Sequence, residues 1–280
     1  MIRSRTVGMR GRRWVLGVAV AIGWSSAVAG AAPATLTARQ IVDRCIAARG
    51  GLAAWHAVRT MTWSGKLEAG TGDSLARSEY FVRNMARTAR QARSGVPQDA
   101  PPSDQKQIDL PFVLDLARPN RARVEIRFAG HTAIQVFDGQ RGWMVRPYLN
   151  RNDAEPFTPQ QAKAERDEWN LDGPLMDYAA DGGRVRLEGT DTVDGRTAYR
   201  IRLTAKDGRV RHFWIDAQTF LDVKVEGTPR EMDGRMRTVW VYQRDFRRVQ
   251  GLEIPYALET VVDGYTDTHK MFIDKVAVNP

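Results

Sequence analysis

Arg123-Val124-Glu125-Ile126-Arg127-Phe128 alternates charged and apolar side chains without a break. On a strand, successive side chains point to opposite faces. Val124, Ile126 and Phe128 therefore share one face and the three charged groups share the other. The same period of two returns at Tyr199, Ile201 and Leu203 against Arg200, Arg202 and Thr204. Between runs of this kind stand Asp138-Gly139, Asp194-Gly195, Asp207-Gly208, Asp233-Gly234 and Asp263-Gly264. Aspartate and glycine tolerate the positive φ angles of tight hairpin turns. Turns this local predict an antiparallel meander, since parallel pairs need crossovers of about a dozen residues or more.

Around the strands the period changes. Thr37 and Gln40 have capping-box spacing, Ile41, Val42, Cys45 and Ile46 form an apolar stripe, and Gly50 is a stop signal. This predicts an opening helix, then a short one over Leu52 to Val58, with strands from Thr60 onward. A second interruption falls at Thr158 to Tyr178. Thr158 is placed to cap, Pro159 suits the first helical position, and Gln161 completes the cap. Leu175, Met176 and Tyr178 after Pro174 read as a further helical turn. Helices inserted in an antiparallel sheet belong on its apolar face, which gives an α+β class.

Residues 71–107 interrupt the strand pattern. Gln98 to Gln107 is polar and contains proline, the composition of a loop. Before it, Phe81, Met85, Ala89 and Ala92 share a helical stripe opposite Arg83, Arg87 and Arg90, as in a basic helix at an anionic lipid surface. Tyr80, Phe81 and Val82 suit an extra strand equally well. Either way the segment reads as an insertion.

The first residues carry Arg3, Arg5, Arg10, Arg12 and Arg13 and no acid, then an apolar run from Trp14 to Trp24, then small residues through Ala32. That is the order of a secretory signal peptide over residues 1–31, with Ala27-Val28-Ala29 and Ala29-Gly30-Ala31 as candidate cleavage sites. The run falls short of the roughly 20 residues a membrane span needs. Export from the cytoplasm and one domain over 32–280 follow as expectations. The net charge of the 280 residues is +9, and five of those charges lie in the leader, leaving +4. So mild an excess argues against nucleic acid as a partner. The one cysteine, Cys45, sits on a helical apolar stripe and reads as a buried thiol.

No motif supplies catalysis or a cofactor. His56, His131, His212 and His269 are far apart, and neither HExxH nor paired-cysteine spacing is present, so no metal site is predicted. A nucleophile elbow is missing as well. Ser103-Asp104-Gln105-Lys106 has S-x-x-K spacing but lacks its downstream partners. A carboxylate pair suited to hydrolysis is defined only by its separation in space, which keeps a hydrolase as an alternative.

Ala117-Arg118-Pro119-Asn120-Arg121-Ala122-Arg123-Val124-Glu125, followed by Gln135 to Trp143, resembles the R-P-N strand and D-G-x-x-x-W hairpin of LolA-type periplasmic lipoprotein carriers. Asp172-Gly173-Pro174-Leu175-Met176-Asp177-Tyr178 and Ile215 to Leu221 are similar to later segments of the larger outer-membrane lipoprotein-sorting relatives. The likeness runs in patches from about Gly50 to Asn279. It implies an unclosed, strongly curved antiparallel sheet, a half-barrel wrapped around a few helices, with acyl chains of a lipid or acylated lipoprotein held between. It also implies an inner-membrane donor and an outer-membrane acceptor. Arg118 matches the arginine that, in those carriers, bonds to the helical lid and gates the space; a surface arginine opening a strand is the simpler alternative. Val124, Ile126, Phe128, Trp143, Met144, Leu175, Met176, Ile201 and Leu203 become candidate walls, with ordinary core packing as the alternative for each. The 71–107 insertion departs from the family, and free lipid fits as well as a lipoprotein. An RseB-type sensor of the same fold is a second reading, although such regulators carry a further C-terminal domain.

Overall fold

The computed structural model describes residues 36–69, 108–147, 150–168, 170–232, 234–265 and 268–280. The expected signal peptide and the whole of the expected insertion at 71–107 lie outside these residues. No helix among the described residues is long and apolar enough to cross a membrane.

The predicted helices open the described chain as α1 (Ala38–Ala48) and α2 (Leu52–His56). Thr37 and Gln40 form the capping box, with Gln40 N–H donating to Thr37 Oγ1 at 3.2 Å and Thr37 N–H donating to Gln40 Oε1 at 2.9 Å. Six strands follow: β1 (Thr60–Ala69), β2 (Ile108–Ala117), β3 (Arg121–Phe128), β4 (His131–Phe137), β5 (Gly142–Arg146) and β6 (Arg151–Pro156). Next comes α3 (Pro159–Glu168), capped by Thr158 Oγ1, which accepts from Gln161 N–H at 3.3 Å. Residues 170–183 run as successive turns, where a further helical turn was predicted. Gly173 at φ 73° and Pro174, which lacks an N–H, break the helical path.

The remaining strands are β7 (Arg184–Val193), β8 (Arg196–Thr204), β9 (Val210–Asp216), β10 (Asp222–Glu226), β11 (Arg230–Met232), β12 (Arg235–Arg237), β13 (Val239–Val249), β14 (Leu252–Val262) and β15 (His269–Val278). Antiparallel neighbours flank the glycines of all five Asp-Gly pairs. Their glycines have φ from 71° to 102°.

Thirteen strands form one open, curved antiparallel sheet in the order β6-β5-β4-β3-β2-β1-β15-β14-β13-β10-β9-β8-β7, while β11 and β12 pair apart. The order explains the helices. From β1 the chain winds outward to one edge at β6. It then crosses to the opposite edge at β7 and winds back until β15 pairs with β1. The link carrying α3 and residues 170–183 must therefore pass over a face of the sheet.

That face is the apolar one. Leu110, Phe112, Leu114 and Leu116 of β2 join Val124, Ile126, Ile254, Ile273 and Val276 in one buried cluster, closed by Trp55 and Met176. Ile201, Leu203, Phe213 and Ile215 form a second cluster under α1, with Ile41, Val42, Cys45 and Leu175. Cys45 is free and buried, as its stripe predicted, and burial pushes its thiol well above the ordinary range. On the opposite face the alternation is less simple. Trp214, Trp240 and Tyr242 surround Lys224, whose ammonium lies 4.5, 5.0 and 5.0 Å from the three ring centres.

The seam between the half-meanders is β1 against β15, irregular between Ser64 and Gly65. A Cβ on Gly65 would stand 2.0 Å from the carbonyl oxygen of Phe272 and 2.9 Å from the Cα of Ile273. Backbone lies on the far side of that gap, so no rotamer change makes room. Gly65→Ala is expected to lower the unfolding free energy by about 1–3 kcal/mol in urea titrations. An unchanged midpoint would mean the seam opens freely.

Candidate functional site

Arg118 stands at the end of β2, on the turn into β3, beneath the link between the sheet edges. Every nitrogen of its guanidinium is engaged. Nε donates to the Val58 carbonyl at 2.6 Å, and one terminal nitrogen donates to the Trp55 carbonyl at 2.9 Å. Both terminal nitrogens donate to the Asp172 carboxylate, one of them to Oδ2 at 2.6 Å. The two carbonyls lie in and just past the last turn of α2, whose final C=O groups have no partner within the helix. Asp172 belongs to the crossing link. One planar fork thus ties the sheet to both pieces of the cover, which a lysine could not do with the same geometry.

The surroundings make the pairing compulsory. The Asp172 side chain is only 9% exposed and that of Arg118 27%. Stripping water from either charge is costly unless the partner replaces it. The bonds to Asp172, opposed by partial burial and supported by the fields of Asp172 and Asp177, raise the guanidinium above its ordinary value. Two residues on, Asn120 Nδ2 donates to the Arg166 carbonyl of α3 at 2.7 Å. The R-P-N turn therefore reaches α2, α3 and residues 170–183, every part of the cover except α1.

A second fastening holds α1. Arg49, at its C-cap, donates from Nη1 to Asp222 Oδ2 of β10 at 3.2 Å. Its guanidinium lies 4.7 Å from the centre of the Trp55 ring, whose Nε1 donates to the Arg49 carbonyl at 3.0 Å. Ile46 packs on both apolar clusters. Toward the β6 edge the inner face becomes polar. Buried Glu165 of α3 accepts from Gln135 of β4, and buried Arg146 of β5 is paired with Glu155.

The predicted residues fall in several places. Val124, Ile126 and Met176 lie in the cluster nearest Arg118, with Phe128 packed at its margin. Leu175, Ile201 and Leu203 lie in the cluster under α1. Met144 is buried on the inner face, level with Gln135. Trp143 is a correction: it is 36% exposed on the outer face and cannot be a wall of the inner one. Its neighbour Met144 points inward, and two consecutive strand residues cannot share a face. The reading of the sequence also missed Asp172 as the partner of Arg118, together with Asn120, Arg49 and Asp222. Asp172 left a trace as an acid directly before the Gly-Pro that turns the link, and Asn120 as the last residue of the R-P-N motif, whereas Arg49 and Asp222 left none.

No protein-family profile and no curated protein matches this chain by sequence. Solved structures do match. A LolA superfamily protein from Nitrosomonas europaea aligns over 88% of this chain and 95% of its own, with a TM-score of 0.51 at 11% identity. The chain has the LolA-like fold. A DUF1329 family protein from Desulfovibrio piger covers 88% of this chain and 94% of its own at a TM-score of 0.49 and 10% identity. A putative outer membrane lipoprotein-sorting protein domain from Vibrio parahaemolyticus covers 85% and 91%, at 0.47 and 7%.

Asp172→Asn keeps the shape and removes the charge that Arg118 requires. It is expected to cost about 2 kcal/mol in chemical denaturation, discounted for the exposed quarter of the arginine. The double replacement Arg118→Met with Asp172→Leu should recover more than half of that loss, because neither charge is then stranded. Additive losses would show that the two side chains do not depend on each other.

Proposed function

We propose that this protein is a non-enzymatic carrier that holds the acyl chains of a lipid or lipoprotein between its sheet and its cover. The observation that carries this reading is the Arg118 fastening, which joins the sheet beside a largely apolar cluster to two separate cover segments. Hydrocarbon entering between sheet and cover exchanges water for apolar side chains, worth about 0.8 kcal/mol per methylene. A cover held by polar bonds at a few points can lift without tearing the sheet ladder, whose hydrogen bonds run elsewhere. Breaking the Arg118 bonds removes the closed state's directional support and leaves the apolar surfaces to rejoin or to accept cargo.

In this reading the chain is exported to the periplasm with residues 1–31 removed, and residues 32–280 form one domain with an insertion at about 71–107. Cargo passes from an inner-membrane donor to an outer-membrane acceptor. Val124, Ile126, Phe128, Met176, Leu175, Ile201, Leu203 and Met144 are the surfaces offered to the chains, and Arg118 governs release. The two clusters give a cargo with more than one acyl chain separate places to lodge.

Native mass spectrometry of protein taken from its own periplasm is expected to show bound lipid. Consistent recovery of ligand-free protein would defeat the proposal. Arg118→Leu is expected to change the rate of cargo transfer to acceptor vesicles by about tenfold, the factor for about 1.4 kcal/mol of lost closure. An unchanged rate would remove Arg118 from the release step while leaving carriage itself to the mass measurement.

A further inference from the structure

Beside the Arg118 fastening, the fold assembles a group of side chains that lie far apart in sequence. His56 is the last residue of α2, and Asp172 and Asp177 lie on the crossing link. His56 Nε2 is 2.8 Å from Asp177 Oδ2. One ligand atom from each of the three residues lies within 4.8 Å of the other two. We propose that His56, Asp172 and Asp177 form a binding site for a divalent transition metal of the zinc class, bridging the two pieces of the cover.

Three features favour a metal over a merely polar contact. The first is the donor set. One imidazole and two carboxylates suit zinc-like ions, which take three protein ligands and leave a fourth position open. Calcium and magnesium favour all-oxygen shells with more ligands. The second is charge. Two carboxylates face the single guanidinium of Arg118, and both act on it electrostatically. One negative charge is left over beside an imidazole that brings none while it is neutral, and a dication supplies what is lacking. The third is access. The His56 and Asp177 side chains are 47% and 33% exposed, so an ion can enter and keep a water at the fourth position. Asp172, 9% exposed, gives the site a fixed inner wall.

Arg118 does not close the site. Its fork uses two acceptor positions of Asp172, and a carboxylate offers about four. With metal bound, Arg118 becomes the outer partner that orients the ligating carboxylate, a role usual for groups behind metal ligands. The geometric change is small at the closest pair. Tetrahedral bonds of about 2.0–2.1 Å separate neighbouring ligand atoms by roughly 3.3 Å, so His56 and Asp177 need to part by only about half an ångström. The Asp172 oxygen already lies within 4.8 Å of the other two ligand atoms, and the more exposed His56 and Asp177 side chains turn toward it to close the remaining distance.

The test uses full-length protein without a histidine tag, stripped with chelator and titrated calorimetrically with zinc chloride. One equivalent is expected to bind, and to raise the melting temperature in proportion to the logarithm of free zinc. His56→Ala and Asp177→Asn should each weaken binding by more than about 100-fold, since loss of outer partners alone costs about 10–100-fold. His131→Ala, which removes an exposed histidine on β4, should change nothing. Both site variants replace half-buried surface groups, and melting in zinc-free buffer will confirm that they fold. Should one variant fail to fold, the other decides. Absence of a one-equivalent isotherm up to millimolar zinc, or binding that survives both substitutions, would overturn the proposal.

Discussion

A chain that fills one half of a sheet from the middle outward and the other half from the far edge inward has to cross it once. Here the crossing falls between β6 and β7, and the rest of the architecture answers to it. A link of this length cannot run around an open sheet without exposing its apolar residues. It lies instead on the apolar face, where Leu171 and Met176 reach one cluster and Leu175 and Tyr178 the other. Such a link also has a backbone full of polar groups, and turns satisfy only some of them. The polar side chains of the inner face are placed accordingly. Arg118 and Asn120 meet the link and the helices from the sheet side, and Arg49 meets β10 from the helix side.

This placement separates two kinds of adhesion. Between strands the adhesion is a ladder of backbone hydrogen bonds, interrupted only at local irregularities such as that at Ser64 and Gly65. Between sheet and cover, side-chain contact is mostly non-directional, with oriented bonds at a few charged forks. Non-directional contact tolerates substitution by another apolar body, whereas a bidentate fork has essentially one acceptable geometry. The cover therefore returns to one position without being welded there.

Much of the fold was legible in the sequence because two periods and one turn chemistry carry it. The alternation in β3 and β8, the capping boxes at Thr37 and Thr158, and the Asp-Gly turns each have a local cause, and local causes can be read from neighbours in the chain. The order of the strands was less accessible. Nothing near Thr60 or Val278 states that β1 and β15 pair, because their complementarity lies in register across the whole molecule. Site residues divide in the same way. Arg118 stood out through its proline and asparagine neighbours, but its acceptors Trp55, Val58 and Asp172 are brought to it only by the folded cover. Trp143 was misplaced because a large aromatic side chain suggested burial while its own strand period pointed outward. Around Lys224 the outer face is aromatic for a reason no alternation rule contains: the rings come from β9, β10's other neighbour β13, and the cation between them.

The position of the seam has a temporal consequence. β1 lies at the centre of the sheet, yet its second partner is β15, which follows every other described strand in sequence. While the polypeptide emerges in order, each half can zip only within itself, and the middle stays bare on one side until Met271 to Val278 arrive. A molecule wired in this way delays its own completion, and remains a loose thread for as long as its tail is still in transit.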